Sequence, residues 1–163
     1  MDSLGNTTPL MWALLILGSA TLFTIAWSWD AMTHKKLAEK DITDQEFQTH
    51  RNILVASMIM EMSLVAMYWY PLAMLPIFIA SFITRLVHEF IDELKYHADR
   101  CTPHESRLHL VMWVSVLTKA GAMFLWGYFA SYEGIENLPI ALYIWGVLLL
   151  IVMAYVSFVE WRR

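Results

Sequence analysis

Long apolar runs are the feature of this 163-residue sequence that most constrains its fold. A helix needs about 20 residues to cross the hydrocarbon core of a bilayer, and five apolar runs are close to that length. They cover residues 9–29, 53–70, 71–87, 110–132 and 138–160. Hydrophobic residues make up 58% of the chain, which is more than an ordinary soluble domain contains. We therefore predict an all-α integral membrane protein with five transmembrane helices.

The basic residues collect on one side of these predicted helices. Two turns and the C-terminus carry Lys35, Lys36, Lys40, Arg51, Lys95, Arg100, Arg107, Arg162 and Arg163. By the positive-inside rule these segments face the cytoplasm and the N-terminus lies outside. The first residues are acidic and polar and lack the basic start of a secretory signal, so we expect no cleavable signal peptide. The expected location is a bacterial inner membrane.

Each of the two cytoplasmic turns contains a signal for the start of a helix. Thr43 stands three residues before Glu46, and Thr102 stands three residues before Glu105, the spacing of a capping box. Pro103 occupies the first helical position, where proline is favoured. The first helix should therefore run to about residue 41 and the third to about 101. Short turns between antiparallel helices predict an up-down four-helix bundle over 9–132 that extends into the cytoplasm. A structural fifth helix, 138–160, completes the single domain.

An acid stands four residues before a histidine on each of the first four helices. The four pairs are Asp30 and His34, Glu46 and His50, Glu93 and His97, and Glu105 and His109. Residues four apart share one face of a helix. In an antiparallel hairpin, residues at the same height on the two helices have numbers with the same sum. By that rule each acid lies level with a histidine of the neighbouring helix: Asp30 with His50, Glu46 with His34, Glu93 with His109, and Glu105 with His97. The eight side chains are therefore predicted to converge in two layers, one helical turn apart.

Converging acids and histidines predict a metal centre. Several carboxylates buried together without cations would be strongly destabilised, whereas imidazole and carboxylate are ligands of iron, zinc and manganese. We predict two divalent ions bound by these eight residues, with iron or zinc favoured and manganese as a further candidate. Glu89 lies four residues before Glu93, on the same face of the third helix. We predict that it is a further ligand, the ligand of a third ion, or the catalytic proton-transfer group. The arrangement is analogous in architecture alone to ferritin-like di-metal bundles, whose motif is Glu-x-x-His.

Other polar residues of the third helix are assigned supporting roles. His88 and Asp92 form a further pair four residues apart, on the α-helical face that points away from His97. We expect this pair to support the ligands or to join helices or subunits. Tyr96 lies about 100° around the helix from His97 and is a weaker supporting candidate.

Three charged residues fall within the predicted spans. Glu61, Arg85 and Lys119 lie at one level, about 15–18 Å deeper than the predicted metal layers. Charged side chains in a membrane are costly and usually paired. They are predicted to form either a structural ion network or a polar layer that contacts substrate.

A di-metal centre beside the bilayer favours a metalloenzyme that acts on a lipid, a quinol or another membrane-accessible small molecule. Iron would support oxygen-dependent oxidation, and zinc would support hydrolysis. The alternatives are a metal carrier, sensor or store, and a b-haem electron carrier with His50 and His109, or His34 and His97, as axial ligands. Haem is less favoured because four acids would crowd its apolar face.

The sequence says less about binding partners and about cysteine chemistry than about the metal centre. Cys101 is the sole cysteine, which rules out an internal disulfide and leads us to expect no thiolate metal cluster. The sequence predicts no nucleic-acid surface, and it leaves a homo-oligomer open.

Overall fold

The chain folds into helices joined by short turns. The computed structural model describes residues 8–41, 43–98 and 100–161, with their side chains over 8–32, 43–98 and 100–159. The long helices are α1 (Pro9–Asp41), α2 (Asp44–Ala66), α3 (Pro71–Ile91), α4 (Pro103–Ala130) and α5 (Ile140–Trp161). A π-helical turn, Asp92–His97, continues α3, and a 3₁₀ turn, Ile135–Asn137, precedes α5. The predicted all-α class is confirmed over the described residues.

Four helices of the described chain are long and apolar enough to cross a membrane. The qualifying segments are Pro9–Met32, Pro71–His97, Pro103–Ala130 and Ile140–Val159. The predicted span on α2 is not among these four. Its apolar part runs only from Ile53 to the helix end at Ala66 and contains Glu61, so it falls short of the about 20 apolar residues that a span needs.

Two helix pairs make the most extensive contacts. Helix α1 packs along α4, and α2 packs along α3. Smaller contacts join α2 to α4 and to the π-helical turn, α3 to α4, and α5 to α1. Over the described residues α1 and α2 have at most marginal contact. The first predicted hairpin is therefore not a packed pair, because α1 is closer to α4.

The largest apolar core lies at the end of the molecule where α2 meets the α4–α5 connection. Met60, Leu64 and Met67 of α2 are almost fully buried and belong to one cluster with Trp126 and Tyr132. The Tyr132 hydroxyl donates a hydrogen bond of 2.8 Å to the Leu64 carbonyl. This bond and the packing around it fix the position of α2 along α4.

Acids and histidines gather at the opposite end. Asp30 of α1, His50 of α2, His97 of the π-helical turn and His109 of α4 all take part in ion pairs there. The fold thereby brings the starts of α2 and α4 next to the π-helical turn and Asp30.

Candidate metal centre

Four potential ligands from α2 and the π-helical turn converge at this end. They are Glu46, His50, Asp92 and His97, and one ligand atom of each lies within 4.8 Å of the others. Glu46, Asp92 and His97 are buried, whereas His50 is partly exposed. We call these four residues the tetrad. Its two imidazoles and two carboxylates are the donors that Zn²⁺, Fe²⁺ and Mn²⁺ prefer in proteins.

The tetrad side chains lie close to one another. His50 Nε2 is 3.0 Å from Asp92 Oδ1. His97 Nε2 is 3.8 Å from Glu46 Oε1, and His97 Nδ1 is 3.7 Å from Asp92 Oδ2. Glu46 Oε2 is buried and has no hydrogen-bond partner among the described residues. A buried carboxylate oxygen without a partner is destabilising, and a cation beside it would remove that cost.

The start of α2 turns the Glu46 side chain into the tetrad. Thr43 caps the helix, since its hydroxyl accepts a 3.2 Å hydrogen bond from the Glu46 amide. The reciprocal bond of the predicted capping box is not formed between these two described residues. The carboxylate instead accepts a 2.6 Å bond from Arg100 Nη2. Arg100 Nε also donates to the Tyr96 carbonyl at 2.6 Å, which links α2 to the π-helical turn.

The π-helical turn brings Asp92 into the tetrad. In an α-helix, residues five apart differ in direction by about 140°, so Asp92 was expected to point away from His97. That expectation is wrong, because the hydrogen bonds of a π-helix close over five residues and align such positions. His97 Nδ1 consequently lies 3.7 Å from Asp92 Oδ2 and 3.9 Å from Glu93 Oε1. Turns of this kind are frequent at functional sites.

A second group of potential ligands shares His97 with the tetrad. His97, Cys101 and His109 place one ligand atom each within 4.8 Å of the others. We call these residues the cysteine triad. The ring centroids of His97 and His109 are 5.0 Å apart. The sequence analysis missed Cys101 because it expected thiolate sites to need several cysteines, whereas Cys101 stands four residues after His97.

Two carboxylates flank His109. Its Nδ1 lies 2.5 Å from Glu93 Oε1, and its Nε2 lies 3.5 Å from Asp30 Oδ1. The Glu93 contact joins residues that the hairpin alignment places at one level. The Asp30 contact joins two residues of the predicted layer of Asp30, His50, Glu93 and His109, and it forms because α1 packs against α4.

The charge environment of Cys101 reflects these neighbours. Its pKa is raised to about 12, first by burial and then by the negative charges of Glu105, Glu93 and Asp30. Without a cation nearby the thiol is therefore neutral at physiological pH.

The remaining predicted ligands are not brought into either group. Glu105 Oε2 accepts a 2.6 Å hydrogen bond from the Thr102 amide, and Thr102 Oγ1 accepts from the Glu105 amide at 3.4 Å. The capping box predicted for α4 is thus confirmed, and the role of Glu105 as a metal ligand stays a prediction. The side chain of His34 lies outside the described residues.

Glu89 belongs to neither group of potential ligands. It forms a hydrogen-bonded ion pair with Arg85, one turn earlier on α3, and both residues are buried. Its assignment as a ligand or as the catalytic proton-transfer group stays a prediction.

The supporting residues of α3 and the π-helical turn have separate contacts. His88 Nδ1 lies 2.8 Å from the Thr84 carbonyl, which can only accept, so this nitrogen carries the hydrogen. His88 Nε2 then accepts a 3.0 Å bond from Asn52 Nδ2 and links α3 to α2. The Tyr96 ring lies under the Lys95 ammonium at 4.9 Å.

The charges within the spans occur as pairs. Lys119 Nζ lies 2.7 Å from Glu61 Oε1, whereas Arg85 takes Glu89 as its partner. Lys119 and Arg85 are each 5% exposed. Such pairing favours the structural interpretation of these residues over a substrate-binding layer.

The chain matches no family model, no curated protein and no solved structure.

Proposed function

We propose that the protein is a membrane-embedded metalloprotein whose tetrad binds a divalent transition metal as part of a di-metal centre. The observation that carries this proposal is the convergence of four ligand atoms within 4.8 Å. Burial strengthens it, because Glu46 is 2% exposed and its Oε2 has no partner among the described residues. A buried set of two acids and two histidines is poorly stabilised by protein contacts alone.

The types of ligand in the tetrad restrict which metal ion it can bind. Two imidazoles and two carboxylates suit Zn²⁺, Fe²⁺ and Mn²⁺, whereas Ca²⁺ and Mg²⁺ prefer oxygen ligands throughout. His50 is the tetrad member that is not fully buried, so the side of the tetrad at His50 is open to a further ligand. An open position is what distinguishes a catalytic from a closed structural site.

A groove between α2 and α3 supports an enzyme that acts on a membrane-accessible molecule. It is open to the surroundings along one side and has a volume of about 700 Å³, comparable to the ~300–1,000 Å³ of small-molecule sites. Its walls are mostly apolar, with Val55, Ile59 and Ile77 among them, and it includes Asn52 and His88. Asn52 is hydrogen-bonded to His88, and His88 lies one helical turn before Asp92, so this polar part of the groove is one turn from the tetrad on α3.

Such a groove fits an amphiphile with its apolar part between the helices and its polar part toward the metal. A bound iron would supply oxygen-dependent oxidation chemistry, and a bound zinc would supply Lewis-acid chemistry for hydrolysis. Asn52 would orient the polar part of the substrate through the amide hydrogen that it does not donate to His88.

The alternatives are less well supported by the contacts. A carrier would need a polar route through the spans, but the charges there are paired as Glu61 with Lys119 and Arg85 with Glu89. Haem bound by His50 and His109 would have to displace carboxylates that lie 3.0 Å from His50 Nε2 and 2.5 Å from His109 Nδ1.

Metal content tests the proposal directly. The protein purified in detergent should retain a stoichiometric transition metal by elemental analysis. The double variant Glu46→Gln/His50→Ala should bind that metal at least 10-fold more weakly in a chelator competition, because it loses two of four ligands. The element recovered then separates the chemistries, since iron favours oxidation and zinc favours hydrolysis.

His104→Ala is the matched control. His104 stands at the exposed start of α4 with its ring 6.4 Å from Trp29, so its removal deletes an imidazole without touching the tetrad. Equal metal retention by the wild type, the double variant and the control would contradict the proposal.

A further inference from the structure

We propose that the cysteine triad is a second metal site, with a thiolate ligand that makes its chemistry different from that of the tetrad. The geometry points to a zinc-type ion bound by His97, Cys101 and His109, with Asp30 beside His109. This inference deepens the proposed function, on which it rests through the shared residue His97.

The three ligand atoms are already assembled. They lie within 4.8 Å of one another, and they come from the π-helical turn, the connection after it and α4. The Cys101 amide donates a 3.0 Å hydrogen bond to the His97 carbonyl, which fixes the cysteine one turn beyond the histidine. His97 and His109 are 6% and 7% exposed, whereas Cys101 is partly buried, so two of the three ligands are shielded from water.

The carboxylates around His109 complete the arrangement. His109 Nδ1 lies 2.5 Å from Glu93 Oε1, and a histidine that ligates through one nitrogen usually donates its other N–H to a carboxylate. Glu93 lies on the Nδ1 side of the ring, which leaves Nε2 for the ion. Asp30 Oδ1 is 3.5 Å from that Nε2, so its carboxylate borders the site.

The donor set determines which metal the site prefers. One thiolate and two imidazoles are three ligands of the tetrahedral sets that suit Zn²⁺ and its spectroscopic substitute Co²⁺. The tetrad has no sulfur ligand. The two sites should consequently differ in their spectra when both are filled with the same metal.

Cobalt titration of the metal-free, reduced protein in detergent tests the inference. The wild type should develop a near-ultraviolet thiolate-to-cobalt charge-transfer band. Cys101→Ser should abolish the band, and His109→Ala should require at least 10-fold more cobalt to reach it. Glu46→Gln should retain the band, because Glu46 belongs to the tetrad alone.

Thiol modification provides an independent measurement. Saturating Zn²⁺ should slow the alkylation of Cys101 by a maleimide at least 10-fold in the wild type and in Glu46→Gln. In His109→Ala the same zinc concentration should protect much less. This readout does not depend on the serine variant folding normally.

The outcomes separate the two proposals. A missing charge-transfer band in the wild type at saturating cobalt, or a band unchanged by Cys101→Ser, overturns the second site and leaves the tetrad standing. Loss of the band in Glu46→Gln also overturns it, because the thiolate would then not define a separate site. Persistence of the band together with normal metal retention by Glu46→Gln/His50→Ala supports the second site and overturns the tetrad.

Discussion

At the scale of single residues, the ion pair of Glu61 and Lys119 tests how much such a pair contributes to the stability of the fold. Their charged atoms are 2.7 Å apart, and the Lys119 side chain is 6% exposed. Lys119→Met should lower the free energy of unfolding by about 3–5 kcal/mol, because it leaves Glu61 without its partner. Reversible unfolding in detergent, followed by circular dichroism, measures the change.

A double variant that removes both charges of the pair is the control for Lys119→Met. Glu61→Gln/Lys119→Met should recover most of the lost stability, since removing both charges of a buried pair is often close to neutral. Lys95→Met, at an exposed lysine, should change stability little. A Lys119→Met variant as stable as Lys95→Met would show that the pair does not stabilise the fold.

The sequence predicted the level of these charges but only part of their pairing. Counting residues along the helices places Glu61, Arg85 and Lys119 at one depth, and Glu61 and Lys119 do form an ion pair. Arg85 instead pairs with Glu89 on its own helix, because a partner four residues away is available at little conformational cost. Competition between local and interhelical partners depends on packing distances, which a single sequence does not contain.

At the scale of secondary structure, the π-helical turn makes a prediction that a regular α-helix would not. Asp92→Asn should weaken metal binding at the tetrad at least 10-fold, because the turn directs Asp92 onto His50 and His97. In an α-helix Asp92 would lie about 140° from His97, and the substitution would have no effect. Chelator competition with the purified variant gives the affinity.

Asp44→Asn is the matched control for that change. Asp44 is an exposed acid in the first turn of α2, two residues before Glu46, so Asp44→Asn removes the same charge close to the tetrad without removing a ligand. Equal affinities for Asp92→Asn and Asp44→Asn would contradict the role assigned to the π-helical turn.

Helix starts were more predictable than helix geometry. The Thr43 and Thr102 signals act within four residues, and α2 and α4 begin directly after them as predicted. The π-helical turn has no comparable local signal, because it is stabilised by contacts that Asp92 and His97 make with α2. The same reason explains why the pairing of α1 with α4, which joins distant segments, was missed while the convergence of most acids and histidines was found.

At the scale of the whole molecule, the distribution of polar contacts explains how α2 fits among more apolar helices. Helix α2 extends from the tetrad at Glu46 to the Tyr132 contact at Leu64. Its contacts with α3 and α4 cover part of its surface, and Lys119 neutralises Glu61. Helix α5, by contrast, leaves large side chains such as Leu150 and Ile151 at least 60% exposed. A lipid environment would cover that apolar surface.

The arrangement of charge then predicts the orientation of the protein in a membrane. The tetrad end carries Lys95 and Arg100, whereas residues 131–139 contain acids and no lysine or arginine, so the tetrad end should face the cytoplasm. In a Cys101→Ser background, a membrane-impermeant maleimide added to intact cells should label Asn137→Cys. It should label Gln48→Cys, at an exposed position of α2, only after permeabilisation. Labelling of the Gln48→Cys variant in intact cells would reverse the orientation and place the metal centre on the outer side, where its metal supply and substrates would differ.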